Sequence, residues 1–146
     1  MFRSSKPQNP DQPPASSSGA TGRSDALYLL EIYRIITGDE FDTAYHWLRT
    51  QFGVKTWHDI KTKYPRGSVE LRYMQRVYLF CETLGALVRR GLADENLVFA
   101  VVGEIPLNAW ETMMPWIADC RAELGADFYA NVEWLANRFF EWQRGR

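Results

Sequence analysis

Histidine and cysteine are scarce in this chain, no apolar run is long, and neither sign of charge dominates. Each shortage removes a class of function. The only histidines, His46 and His58, stand outside any H-x-x-x-H, H-E-x-x-H or E-x-x-H arrangement. The spacings that build zinc or di-metal sites on helices are therefore missing. Cys81 and Cys120 have no second ligand near them in sequence, and each lies inside an apolar periodic run. A thiol there behaves as a small hydrophobe, and two such thiols make no disulfide framework. Glycines occur singly, and none belongs to a Gly-rich turn followed by the lysine that phosphate binding needs. No metal and no other cofactor is expected, and no catalytic residue is nominated.

The longest uninterrupted apolar run is Leu97 to Val102, against the roughly 20 residues of a spanning helix. No basic stretch leads into an apolar one in the manner of a signal peptide. A soluble, cytoplasmic protein without a transmembrane segment is the expectation. The formal net charge is −1, which argues against a dominant polyanion-binding role and makes nucleic acid an unfavoured partner.

What the chain does have is apolar and aromatic material, 46% and 14% of its 146 residues, including six Trp. That is enough for one core in a domain of ordinary size. Aromatics enrich interfaces as well as cores, so composition does not assign each one. Residues 1–22 hold four prolines and several serines, with Phe2 as the sole aromatic. Such a segment cannot bury enough surface to offset its ordering entropy and reads as a disordered leader. Residues 23–146 read as a single domain.

Helical periodicity runs through that domain. Ser24-Asp25 is a plausible cap for Ala26–Thr37, on which Leu27, Leu30 and Arg34 share one face. Leu29, Ile32, Tyr33 and Ile36 form a broader apolar face beside it. Asp39 or Asp42 can cap a second helix reaching about Gln51, with Gly53 as its stop. A short helix is placed across 56–63. Ser68 caps the clearest element, whose stripe of Leu71, Met74, Tyr78, Cys81, Gly85 and Val88 makes it central. Gly85, inside that helix, lets a neighbouring helix approach. Asp94 opens a segment to Val102, and Asn108 opens another that Pro115 must kink or divide. Gly125 ends it and Asp127 caps the last, striped by Phe128, Val132, Leu135, Phe139 and Trp142. Strand evidence is weak. The fold predicted is all-α, an antiparallel bundle of five to seven helices.

Charge is unevenly spread. From Arg49 to Arg90 there are nine basic and three acidic residues, and from Leu92 to Arg146 four basic and nine acidic. One reading is complementary helices with charge at their rims. The other is a candidate basic patch of Lys61, Lys63, Arg66, Arg72 and Arg76. Two more charges stand out by their surroundings. Glu82 interrupts the apolar run Val77–Val88, and Arg121 follows Ile117, Ala118 and Cys120. Buried charge is costly unless paired, so the two are expected to meet across the bundle as a structural polar pair. Arg121 also stands next to Cys120, where a fixed cation favours a thiolate, but helical neighbours in sequence do not face each other and no histidine is assignable as a base, so a core thiol is expected.

The stretch from Tyr78 to Arg121 resembles a family of uncharacterised bacterial and phage helical domains. The features that carry the likeness are Glu82 in a long helix, Gly91 and Asp94 at the next junction, Trp110, Pro115 and Arg121. The resemblance implies the helical fold and the internal Glu82–Arg121 pair, and no biochemical activity. Many such domains follow an N-terminal membrane helix. Here a Pro/Ser leader and the mildly apolar Leu27–Ile36 stand instead, so membrane attachment is not implied.

The function expected is therefore that of a structural or protein-interaction module whose partner is a protein, with a homodimer as one form. Its rivals are a small enzyme or ligand-binding bundle with a site assembled from distant residues, and a weak nucleic-acid binder using a basic face.

Overall fold

The structure, a computed structural model, describes residues 17–146. Eight helices and no strand occur among the described residues: α1 (Ser17–Thr37), α2 (Asp39–Thr50), α3 (Trp57–Lys63), α4 (Val69–Arg89), α5 (Glu95–Val102), α6 (Ile105–Met113), α7 (Ile117–Leu124) and α8 (Ala130–Arg144). The all-α bundle is the one periodicity predicts. The count reaches eight because the short α3 forms and Pro115 divides its pattern into α6 and α7.

Two of the caps, Ser68 and Asp94, are the expected ones, and Thr56 caps the short α3. Ser68 Oγ accepts from Leu71 N at 3.2 Å, Asp94 Oδ1 from Leu97 N at 3.1 Å, and Thr56 Oγ1 from Asp59 N at 3.1 Å. Each satisfies one of the backbone donors a helix start leaves free. Other boundaries move. No proline stands between Pro14 and Thr37, so nothing steric stops α1 at Ser24-Asp25, and it begins at Ser17. The predicted leader's residues 1–16 lie outside the described residues. Neither Asp39 nor Asp42 caps α2. Both sit within its first turn, with Gly38 at the cap position, where their charge still favours the positive helix end. At α6 the break is confined to Gly103, at φ 57°, and Glu104. Pro106 lies in the first turn, where its missing N–H costs nothing, so α6 starts before Asn108.

The core is organised along α4, which packs mainly on α8 and α2. Met74, Val77, Tyr78 and Cys81 enter one apolar cluster with Trp47, Met113 and Trp116. Leu84 and Val88 enter a second with Val98, Phe99, Leu135 and Phe139. Helix α8 spans the same two clusters through Val132 on one side and Leu135 and Phe139 on the other. Cys81 and Cys120 are free thiols with no exposure. Rim charges tie elements together. Arg138 grips Glu95 with two bonds of 2.7 and 2.6 Å, and Arg76 meets Glu40 at 2.7 Å. Lys61 meets Glu123 at 2.8 Å, which also accepts from Trp57 Nε1.

At Gly85 the α4 backbone passes directly against α8. A Cβ at this position would land on the Asn131 carbonyl oxygen and 3.0 Å from its carbon. Backbone cannot yield as a side-chain tip can. Helix propensity alone favours alanine over glycine by about 1 kcal/mol. Gly85→Ala is nonetheless expected to destabilise the domain by about 1–3 kcal/mol through overpacking. Urea unfolding checks this, and a gain in stability would mean that α4 and α8 part freely.

Candidate functional site

Glu82 and Arg121 do not pair with each other. No hydrogen bond or ion pair joins them, and each has other partners. Glu82 Oε2 accepts from Val132 N at 2.9 Å, and Oε1 accepts from Asn131 Nδ2 at 3.1 Å. Arg121 donates through Nε to the Phe128 carbonyl at 2.9 Å and through Nη1 to Glu133 at 2.8 Å. Its guanidinium also lies 5.8 Å from the centre of the Trp110 ring. Both charges therefore close on one segment, residues 128–133, from two different helices. In place of the predicted meeting, each group is satisfied by backbone and side-chain partners within that segment.

The reason lies in how α8 begins. Asp127 does not cap it. The cap position is Tyr129, in the left-handed region at φ 54° and ψ 31°, and its side chain makes no capping bond. Left-handed backbone costs a residue with a Cβ about 1–2 kcal/mol. Val132 is the third helical residue, whose N–H a capping side chain normally takes. Glu82 supplies that acceptor from α4, and its charge sits at the positive end of α8. Gly85, one turn along α4, lets the two backbones approach closely enough for the carboxylate to reach. Glu82, Gly85, Asn131 and Val132 thus form one clamp. Glu82 and Gly85 each stand out in the sequence, though not as one device, and Asn131 and Glu133 carry no signal of their own.

The cysteines occupy apolar surroundings. Burial pushes the Cys81 thiol up to about 12. Burial, with Glu123 beside it, pushes Cys120 up to about 11 against the opposing pull of Arg121 and Lys61. The neighbouring cation thus does not make Cys120 a thiolate. Burial likewise pushes the Tyr129 phenol up to about 12.

The five predicted basic residues do not form one unopposed surface. Lys61 is paired with Glu123, and Arg76 with Glu40. Lys63 lies over the Tyr64 ring at 5.8 Å. Arg72 lines a shallow hollow with Arg76, Asp39 and Glu40, which mixes both signs. Arg66 sits in the turn before α4. Among concave features, an open groove of about 300 Å³ runs between the end of α2 and α6. Leu48, Phe52, Val54 and Pro115 line it, with Arg49, Lys55, Asn108 and Glu111, and no histidine or cysteine does. No group of three or more His, Cys, Asp or Glu placed to hold a metal occurs among the described residues. No helix there is long and apolar enough to cross a membrane.

The outer side of α1 differs from the rest of the surface. Among its residues 22–37, only Ile32 is buried, with Leu29 and Ile36 half-buried, where the helix packs on α5 and α2. On that outer side Leu27 is 66% exposed, Leu30 64% and Tyr33 58%. Such a concentration on one helix is what marks contact surfaces, whereas scattered exposed leucines are ordinary.

A bundle of helices around one core spine, carrying an inert thiol pair and an uncovered apolar helix face, is the class of domain these features define. Within that class the chain belongs to the DUF4760 family, a domain of unknown function, whose profile matches residues 28–139. The match takes in the whole stretch on which the resemblance was read. No curated protein and no solved structure matches the chain.

Glu82→Ala removes the acceptor of Val132 N–H and is expected to cost about 1–2 kcal/mol, as lost caps do. Faster hydrogen exchange at the amides of residues 130–133 would check it, and unchanged exchange there would remove Glu82 from the capping role. The buried thiols also set a pH dependence. Unfolded cysteine ionises near about 8.5 and tyrosine near about 10, while the folded groups hold their protons to about 11–12. Above the unfolded values the unfolded state binds fewer protons, so stability must fall as pH rises. The urea midpoint is expected to decline from about pH 8.5 upward. Cys81→Ser/Cys120→Ser should flatten the first part of that decline.

Proposed function

We propose that this chain is a helical protein-interaction domain that docks a protein partner on the outer face of α1. The observation that carries the reading is the exposure of Leu27, Leu30 and Tyr33 on a helix whose opposite side is anchored by Ile32. An apolar stripe left in water on a well-anchored helix is free energy available to a partner. The shallow concavities favour a surface over an enclosed reaction chamber, because small-molecule sites bury most of their ligand. The buried, protonated cysteines fit a reducing compartment, and a cytoplasmic location is part of this reading.

A docking face can be altered without cost to the fold beneath it. Leu27→Glu/Leu30→Glu is expected to change unfolding free energy by no more than about 0.5 kcal/mol, as surface substitutions do. Chemical denaturation with a helical circular-dichroism signal measures it. A loss above about 2 kcal/mol would be the signature of core packing. It would assign this side of α1 to the fold and remove the docking role.

A further inference from the structure

We infer that the hollow between α1 and the α4–α5 turn docks a basic, amphipathic segment of a partner protein, with an arginine or lysine set between Asp25 and Asp94. The hollow lies on the opposite side of α1 from Leu27 and Leu30 and does not depend on the docking role proposed for them.

The first observation is a carboxylate on the wrong side of a helix. Asp25, Leu29, Ile32 and Ile36 follow one another at four, three and four residues, so Asp25 lies on the stripe through which α1 packs on the domain. It is half-buried, yet no cation pairs with it among the described residues. A partly desolvated charge without a partner costs free energy, and a cation brought from outside offsets it. The nearby arginines are placed elsewhere. Arg23 stands about 200° round the helix from Asp25. Arg89 reaches Asn131 and lies over the Trp134 ring, and Arg138 holds Glu95 and Glu141.

The surroundings add to the negative potential. Asp94 lines the same hollow, and one of its oxygens is taken by the cap at Leu97 N, which leaves the other free. Val88 and Gly91 also line it, which brings the negative C-terminal end of the 21-residue α4 to the site. Among the described residues no Lys, Arg or His lines the hollow or the small depression continuous with it at Asp25, Ala93 and Asp94.

The rim decides what kind of cation fits. Leu92 is 61% exposed, Tyr28 52% and Leu97 41%, and all three border the two carboxylates. A bare ammonium or a metal ion would leave them in water, and no group of three or more metal-binding side chains occurs among the described residues. The hollow itself encloses about 470 Å³, room for an arginine or lysine with its apolar stem. An occupant that carries a cation and covers the rim has basic and apolar side chains together on one segment. That is the pattern of an amphipathic helix laid in a groove.

The test uses the full, isotope-labelled chain and a synthetic amphipathic peptide of Leu, Ala and Arg, with a counterpart in which every Arg is Glu. Amide shifts are expected at residues 25–29 and 91–98 with the Arg peptide and not with the Glu peptide. Asp25→Asn/Asp94→Asn should weaken binding at least about fivefold, and asparagine at 94 keeps the α5 cap, so the fold is retained. Leu92→Ser should weaken it about threefold. Shifts confined to other residues overturn the proposal, as does equal binding of the Glu peptide or of the double variant. Spermine that produces the same shifts with no dependence on Leu92 overturns it in favour of a free polyamine.

Discussion

The close crossing of α4 and α8 is the constraint on which the rest of the structure depends. Gly85 lies against the Asn131 backbone, and one turn earlier Glu82 takes the Val132 N–H. Each requires the other. Without the missing side chain at 85 the carboxylate could not reach, and without the carboxylate the start of α8 would leave a donor unpaired where the helices are tight. Because α4 and α8 both run through the two apolar clusters, their register sets which residues meet in each. A shift at this crossing would move Val132, Leu135 and Phe139 together.

The two charges that interrupt apolar runs serve that crossing without meeting. Glu82 satisfies donors at the first turn of α8, while Arg121 holds the Phe128 carbonyl and Glu133. Between them they fix a turn that contains Tyr129 in the left-handed region. A left-handed tyrosine persists only where its surroundings over-determine it. Direct pairing would neutralise both charges and leave the turn unsupported. Binding to backbone groups, together with Asn131 for Glu82 and Glu133 for Arg121, offsets their desolvation and also fixes a loop.

The two sides of α1 stand in contrast. One side is anchored by Ile32 against α5 and its neighbours, while the other presents leucine and tyrosine to water. Elsewhere salt bridges tie elements together, including those that absorb Lys61 and Arg76, and exposed apolar side chains such as Leu79, Leu92 and Leu124 stand on separate elements.

The sequence by itself determined the all-helical class, the central place of α4, the division at Pro115, the close approach at Gly85 and the burial of both cysteines. These follow from local rules: periodicity, a proline ring that cannot continue a helix, and thiols set in apolar runs. Only the tertiary structure decided the partners of Glu82 and Arg121, the cap of α8, and which side of α1 stays in water. Partner choice depends on distances between residues tens of positions apart, which one-dimensional spacing does not encode. The α1 pattern shows the same limit. Leu27 and Leu30 carry as strong an apolar signal as Leu29 and Ile32, and only the position of α5 separates a covered face from an open one.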